Sequence, residues 1–315
     1  MSNAIHFLNT GSSDCIILES KGHFAMVDAG EDTEYPANKP HLKYPGYEEI
    51  VCDYLLKNCA SSDGTVTLDF VLGTHAHSDH IGGFDTVINH PKIKVKKAYL
   101  KPYKAKDIFI YERLSWDNTE VYEQMKKALE ENNVEIVEDF DGLKTTLGEF
   151  KITFLNGKYK KHIFKYGENV NSVVTLLECN GCRCVLAGDL NNKVFDEYRL
   201  AKQIGKVDIL KVGHHGYPFS SSLKWLKTLA PKYSVVCNFE KKIYPHVKHK
   251  LVDVIKTKLF CTADLNGVKF DFDNGLVCHW LKGEMRVSPK IISFYIPKSH
   301  HQLMHVDMIN EVFPF

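Results

Sequence analysis

The sequence predicts an α/β protein with a two-layered sheet core clad in helices. Three observations point there. Apolar runs of strand length alternate with segments of helical spacing, the alternation comes in two similar halves, and several strands end in histidine or aspartate.

The first half opens as a β-meander, with strands expected at 5–8, 15–19 and 24–27, a Lys21-Gly22 turn, and Asp28-Ala29-Gly30 closing the third strand. A polar loop over 31–46 leads into an amphipathic helix at 47–58, and a buried strand at 68–73 runs into a cluster of His and Asp. Gly82-Gly83-Phe84 opens a short helix, 95–100 is a strand, and 119–132 is a helix with a Thr cap. Further strands fall at 150–155, 172–179 and 184–187. Asn180-Gly181 joins the last two as a hairpin, so Cys179, Cys182 and Cys184 read as a strand turn rather than a zinc knuckle. A strand at 207–212, a helix at 221–229, a strand at 233–238, a helix at 247–259 and a small β-unit over 268–287 complete the pattern.

Length and composition set the bounds. The 315 residues allow a substantial core, and a balance of 40 Lys+Arg against 39 Asp+Glu gives no global field toward nucleic acid or anionic lipid. With 44% hydrophobic and 25% charged residues, the chain is neither fibrous nor disordered. No apolar stretch reaches bilayer-spanning length, and the start lacks a basic then apolar leader, so a cytoplasmic protein is expected. Nine scattered cysteines fit reduced thiols. The 16 histidines are the unusual feature, because imidazole is the commonest metal ligand.

Thr74-His75-Ala76-His77-Ser78-Asp79-His80-Ile81-Gly82-Gly83 places three imidazoles and a carboxylate within six residues at a strand end. His75 and His77, two apart, point the same way from an extended chain and can share one ion. Asp79 and His80 fall in the following turn and can serve a second. Downstream, the strand ending Ala187-Gly188-Asp189 supplies a carboxylate placed to bridge two cations, and the strand ending Gly213-His214-His215-Gly216 adds two imidazoles. Three strands ending in ligands on one edge make chance a poor explanation. An imidazole and carboxylate set suits zinc, with manganese or iron as the other fits.

In that order, Asp28-Ala29-Gly30, His75-x-His77-x-Asp79-His80, Gly188-Asp189 and His214-His215-Gly216 resemble the metallo-β-lactamase superfamily over roughly residues 5–287. Two branches carry the His-His-Gly form: the hydrolase domain of competence DNA-uptake proteins and the phosphorylcholine esterases that act on teichoic acid. The second is the nearer in sequence. The run from Cys15 to Asp28, Gly30-Glu31-Asp32, Tyr35-Pro36, Glu112-Arg113-Leu114 with Trp116-Asp117-Asn118, Asn171-Ser172 and 204–208 are similar to that esterase domain.

The resemblance implies an αββα four-layer sandwich over residues 1–287, with 288–315 as a C-terminal extension. It implies two divalent cations: His75 and His77 on one, Asp79 and His80 on the other, and Asp189 between them. One of His214 and His215 completes the second site and the other faces substrate. Asp28 orients a ligand. The superfamily's usual third histidine of the first site is missing; Asn171, His162 or a water stands in for it. The expected activity is hydrolysis of a phosphoric ester, with a choline-containing one among the candidates, by water that the cations activate, with Asp79, His214 and His215 as the catalytic groups. Trp116, Tyr103 and Asn171 are the expected substrate contacts, the aromatic rings suiting a quaternary ammonium. A nuclease is the second reading, resting on lysines at 92–106 and 241–250 that equally suit a solvated strand face. A metal-poor binding protein is the third.

Overall fold

The computed structural model describes residues 2–273 and 277–280 of the chain. Residues 281–315, including the expected extension at 288–315, lie outside the described residues.

The first sheet begins with an antiparallel meander, β1 (Asn3–Phe7), β2 (Cys15–Ser20) and β3 (His23–Ala29). It continues in parallel through β4 (Val66–Gly73), β5 (Ile93–Val95), β6 (Lys97–Leu100) and β7 (Glu135–Val137). The second sheet repeats this plan. β8 (Lys144–Leu147), β9 (Phe150–Leu155), β10 (Val174–Cys179) and β11 (Cys182–Leu186) are antiparallel; β12 (Ile209–Lys211), β13 (Tyr233–Val236) and β14 (Lys258–Cys261) follow in parallel. The chain then returns to the first sheet as β15 (Val268–Asp271) and β16 (Val277–Trp280), with β15 alongside β1. The two similar halves read from the sequence are thus two sheets of like connectivity.

Side-chain alternation sorts the apolar residues into three layers of core. Ile16, Leu18, Ala25 and Val27 point between the sheets, where they meet Phe154, Leu177, Leu186 and Ile209 of the second sheet. Ile17 and Met26, one position out of phase, face the opposite way onto α1 (Glu48–Asn58), α3 (Phe84–Asn89) and α5 (Asn118–Glu131). The short α2 (Ser78–Ile81) and α4 (Ile110–Ser115) lie between these in sequence. On the far side, Leu176, Val185 and Leu210 pack on α6 (Asp196–Ile204), α7 (Leu223–Leu229) and α8 (Pro245–His249). The architecture is therefore helix, sheet, sheet, helix, and burial between two sheets is what each amphipathic strand requires. In β4 a bulge about Asp69 resets the phase, so Leu68 packs outward while Phe70 packs inward.

Several boundaries differ from expectation. The helix at 119–132 starts one residue earlier, and no side chain caps it. The helix at 247–259 stops at Ile255, because Lys256 takes a left-handed backbone (φ 60°) and Lys258 already pairs in β14. The hairpin at Asn180-Gly181 forms as read, with both residues at positive φ and Cys179 opposite Cys182. Among the described residues, no helix is long and apolar enough to cross a membrane.

Candidate metal centre

The parallel strands of both sheets carry their ligand-type residues at or beyond their C-terminal ends, which is where open α/β sheets place sites. Asp28 is the penultimate residue of β3, Thr74 to His80 follow β4, Asp189 follows β11, and His214 and His215 follow β12. Asp28 (φ 57°), His214 (φ 53°) and His215 (φ 47°) all take the left-handed backbone, unfavourable for residues with a Cβ. Strain of this kind concentrates where side chains must be aimed.

His80 is fully buried at the centre. Its Nδ1 lies 2.7 Å from Asp28 Oδ2, and Asp28 is itself fixed by the Thr74 backbone N–H (2.8 Å) and hydroxyl (2.7 Å). That contact turns His80 Nε2 inward, 3.0 Å from His215 Nε2 and 3.1 Å from Asp189 Oδ1. His215 is pinned in the same manner, its Nδ1 3.1 Å from the Cys237 carbonyl, while its Nε2 also lies 3.1 Å from Asp79 Oδ2. Asp79, His80, Asp189 and His215 offer ligand atoms that all fall within 4.8 Å of one another. Asp189 Oδ1 is buried without a hydrogen bond.

A second pair repeats the pattern beside it. His75 Nδ1 lies 3.1 Å from Thr74 Oγ1 and His77 Nε2 lies 3.0 Å from Glu112 Oε1. The remaining nitrogens, His75 Nε2 and His77 Nδ1, face each other at 3.1 Å. The rings of His75 and His80 are 4.2 Å apart, so the two pairs adjoin.

The residues fit divalent cations. In each pair the outer nitrogen is held by an oxygen, so neutral imidazoles would aim two lone pairs at one another unless a cation or a proton lies between them. The field has the matching sign. Burial alone would lower the His80 pKa, yet Asp189, Asp28, Asp79 and Asp14 hold it well above its usual value. Burial likewise opposes charge on His215, and Asp189 and Asp14 still push it up to about 10. Burial would raise the Asp79 carboxyl, but His80 and His215 bring it down to about 2. His75, where burial dominates, is lowered well below the usual histidine range.

The structure separates the two histidines that the sequence left equivalent. His215 enters the buried group, whereas His214 is half-buried with Nδ1 3.0 Å from the Pro218 carbonyl. Trp116 stacks on His77 at 6.3 Å between ring centroids. Tyr103 packs its ring on Tyr122 and the outer core. Asn171 turns its amide to Glu168 (2.8 Å), and His162 lies edge-on to Tyr166. Among the described residues, His162 does not fall in a group of converging ligand atoms. Asn171's neighbour Ser172 is the one that reaches the centre, its Oγ accepting the Asp189 N–H at 3.0 Å.

Three functional neighbours went unassigned in the sequence reading. Glu112 holds His77 and also accepts from Asn118 Nδ2 and the Glu168 N–H. Asp14 and Lys211 form a fully buried ion pair under the centre, and Lys211 Nζ also donates to the Gly188 carbonyl (2.9 Å) and lies 3.7 Å from Asp189 Oδ1. A lysine inside the apolar run Ile209-Leu210-Lys211-Val212 was the available signal.

Residues 8–238 match the family described as the metallo-beta-lactamase superfamily, and the chain belongs to it. It is similar to ComE operon protein 3 of Bacillus subtilis (strain 168), 24% identical over 266 residues, covering 76% of this chain and 31% of that protein. It is also similar to Competence protein ComA of Neisseria gonorrhoeae, 25% identical over 185 residues, 58% of this chain and 22% of that one. The chain thus spans less than a third of these curated relatives. Among solved structures, it resembles the metallo-beta-lactamase fold protein YhfI of Bacillus subtilis, with 12% identity, a TM-score of 0.49, and coverage of 82% and 95% of the two chains. It also resembles CmlA, a diiron beta-hydroxylase from Streptomyces venezuelae, with 13% identity, a TM-score of 0.43, and coverage of 75% and 44%.

Proposed function

We propose that this chain is a metal-dependent phosphoric diester hydrolase that uses two divalent cations, zinc first among them. The observation that carries the reading is the double convergence of pinned imidazoles, His75 with His77 and, against the buried Asp189 oxygen, His80 with His215. Cations bound there supply Lewis acidity toward a phosphoryl oxygen and lower the pKa of water.

The chain's own groups do the rest. Asp28 and Glu112 fix the tautomers of His80 and His77, so each presents a basic nitrogen inward. Asp79, with 30% of its side chain exposed, is the carboxylate of the cluster that reaches solvent, placed to orient the attacking water. His214, with Nδ1 committed to Pro218, keeps Nε2 for the phosphate or the leaving-group oxygen. Trp116, stacked on His77, is the aromatic face to meet a choline head group.

The decisive experiment strips the protein with a chelator, reloads it with zinc or manganese, and assays bis-p-nitrophenyl phosphate, p-nitrophenylphosphorylcholine, a lactone and a β-lactam. Metal-restored turnover of a diester is the expected result; lactone or lactam turnover without diester turnover overturns the proposal. The competence relatives favour a second reading in which the diester belongs to nucleic acid. Metal-dependent cleavage of an oligonucleotide with no turnover of the phosphorylcholine ester would select it.

Replacing Asp28 with alanine frees the His80 ring. A fall in metal affinity of about 10–100-fold is expected by competition with a chromogenic chelator. Affinity equal to that of the unmodified protein would remove Asp28 from this role.

A further inference from the structure

The helix α4 presents an anomaly: its sequence is Ile110-Tyr111-Glu112-Arg113-Leu114-Ser115, and none of its residues is buried. Leu114 is 67% exposed, Ile110 54%, and Phe109 and Tyr111 48% each. A second apolar tip lies beside it, with Ile163 96% and Phe164 71% exposed. Single exposed apolar side chains are ordinary, but six on two adjoining segments form a patch that calls for a partner.

The two segments are bound into one surface. The Phe109 N–H donates to the Tyr166 carbonyl at 2.9 Å, the Tyr159 hydroxyl donates to Asp107, and the Lys104 ammonium sits 4.3 Å from the centre of the Tyr159 ring. Cations surround the apolar tips. Over residues 104–114 and 158–166 the chain carries seven Lys and Arg against Asp107 and Glu112, a segment balance of +5 that the pairing of Lys158 with Asp139 (2.7 Å) brings to +4, in a protein whose total is +1. Lys104, Lys106, Lys161 and Lys165 are exposed, and Glu112 is turned inward to His77.

We propose that this face docks the protein on an anionic lipid surface, with Ile163, Phe164, Ile110 and Leu114 entering the headgroup boundary and the surrounding lysines meeting lipid phosphates. The chemistry of the patch selects this partner. The most exposed tip, Ile163, and the aliphatic Ile110 and Leu114 interrupt the rings of Phe109, Tyr111 and Phe164, so the patch is a mixed apolar surface rather than a row of stacking faces for single-stranded nucleic acid. A second copy of the chain would bring lysine against lysine. An anionic bilayer answers both the apolar tips and the charge, and a surface attachment needs no spanning helix. Since α4 also carries Glu112, the docked face is continuous with the wall of the metal centre.

The test is co-sedimentation of the full chain with vesicles of phosphatidylglycerol and phosphatidylcholine, against vesicles of phosphatidylcholine alone. Binding is expected to require phosphatidylglycerol and to weaken with salt. Ile163→Ser with Phe164→Ser should lower partitioning at least tenfold. Lys161→Ala with Lys165→Ala should lower it by about fivefold per charge. Both variants alter exposed side chains outside the metal centre, so turnover of soluble bis-p-nitrophenyl phosphate should not change. Vesicle binding therefore stands or falls separately from the hydrolase proposal. No sedimentation with phosphatidylglycerol vesicles, unchanged binding in the variants, or a dimer that the serine variant splits would each overturn the docking proposal.

Discussion

Asp189→Ala is expected to lower hydrolysis of bis-p-nitrophenyl phosphate by roughly a thousandfold or more, equivalent to about 4 kcal/mol of barrier, with an unchanged far-UV spectrum. The effect follows from the position of one oxygen. Asp189 Oδ1 lies 3.1 Å from His80 Nε2, 3.4 Å from His215 Nε2 and 3.7 Å from Lys211 Nζ. It lies against the inward Nε2 atoms of both imidazoles as well as the lysine beneath them, whereas Asp14 meets the same rings from their Nδ1 side. Its backbone is held separately, by the N–H bond to Ser172 Oγ, so removing the carboxylate should leave the loop in place. Zinc retained after dialysis, measured by atomic absorption, should fall together with activity. An Asp63→Ala variant, altered at an exposed loop carboxylate, should match the unmodified protein in both measurements. Full zinc retention and full turnover in Asp189→Ala would remove the cluster from any role in the reaction.

What the sequence revealed and what it hid divide along the range of the interactions. His75, His77, Asp79 and His80 were legible because a strand end followed by a tight turn fixes their relative directions within six residues. The choice between His214 and His215 was not, since both take the left-handed backbone, and which ring turns inward depends on the Cys237 carbonyl of a different strand. Glu112 appeared in a matched run without a role, because its contact with His77 spans 35 positions. Local pattern also misled where it outlasted the element. Leu251, Ile255 and Leu259 keep helical spacing past the point where Lys256 ends the helix. The omission of α4 has the opposite cause: with its apolar residues facing outward, no buried stripe marked it as a helix.

The buried Asp14–Lys211 pair should be the most sensitive point for stability. Lys211→Met is expected to destabilise the metal-free protein by about 3 kcal/mol, read from the urea midpoint, because it leaves a carboxylate that is 1% exposed with only the more distant Nδ1 atoms of His215 (3.4 Å) and His80 (3.7 Å) as cationic neighbours. Burial opposes charge on Lys211, and Asp14 and Asp189 more than reverse that, raising its pKa. The ammonium is thus a permanent cation in a centre where Asp14, Asp28, Asp79 and Asp189 would otherwise face only histidines. Asp14→Asn combined with Lys211→Met removes both charges, and most of the lost stability should return, since the single variant's cost is an uncompensated charge rather than a lost attraction. The measurement belongs in the presence of a chelator, where bound metal cannot shift the folding equilibrium. Lys211→Met as stable as the unmodified chain, or a double variant no better than the single one, would mean that Asp14 finds another partner and that the lysine does not hold the floor of the centre.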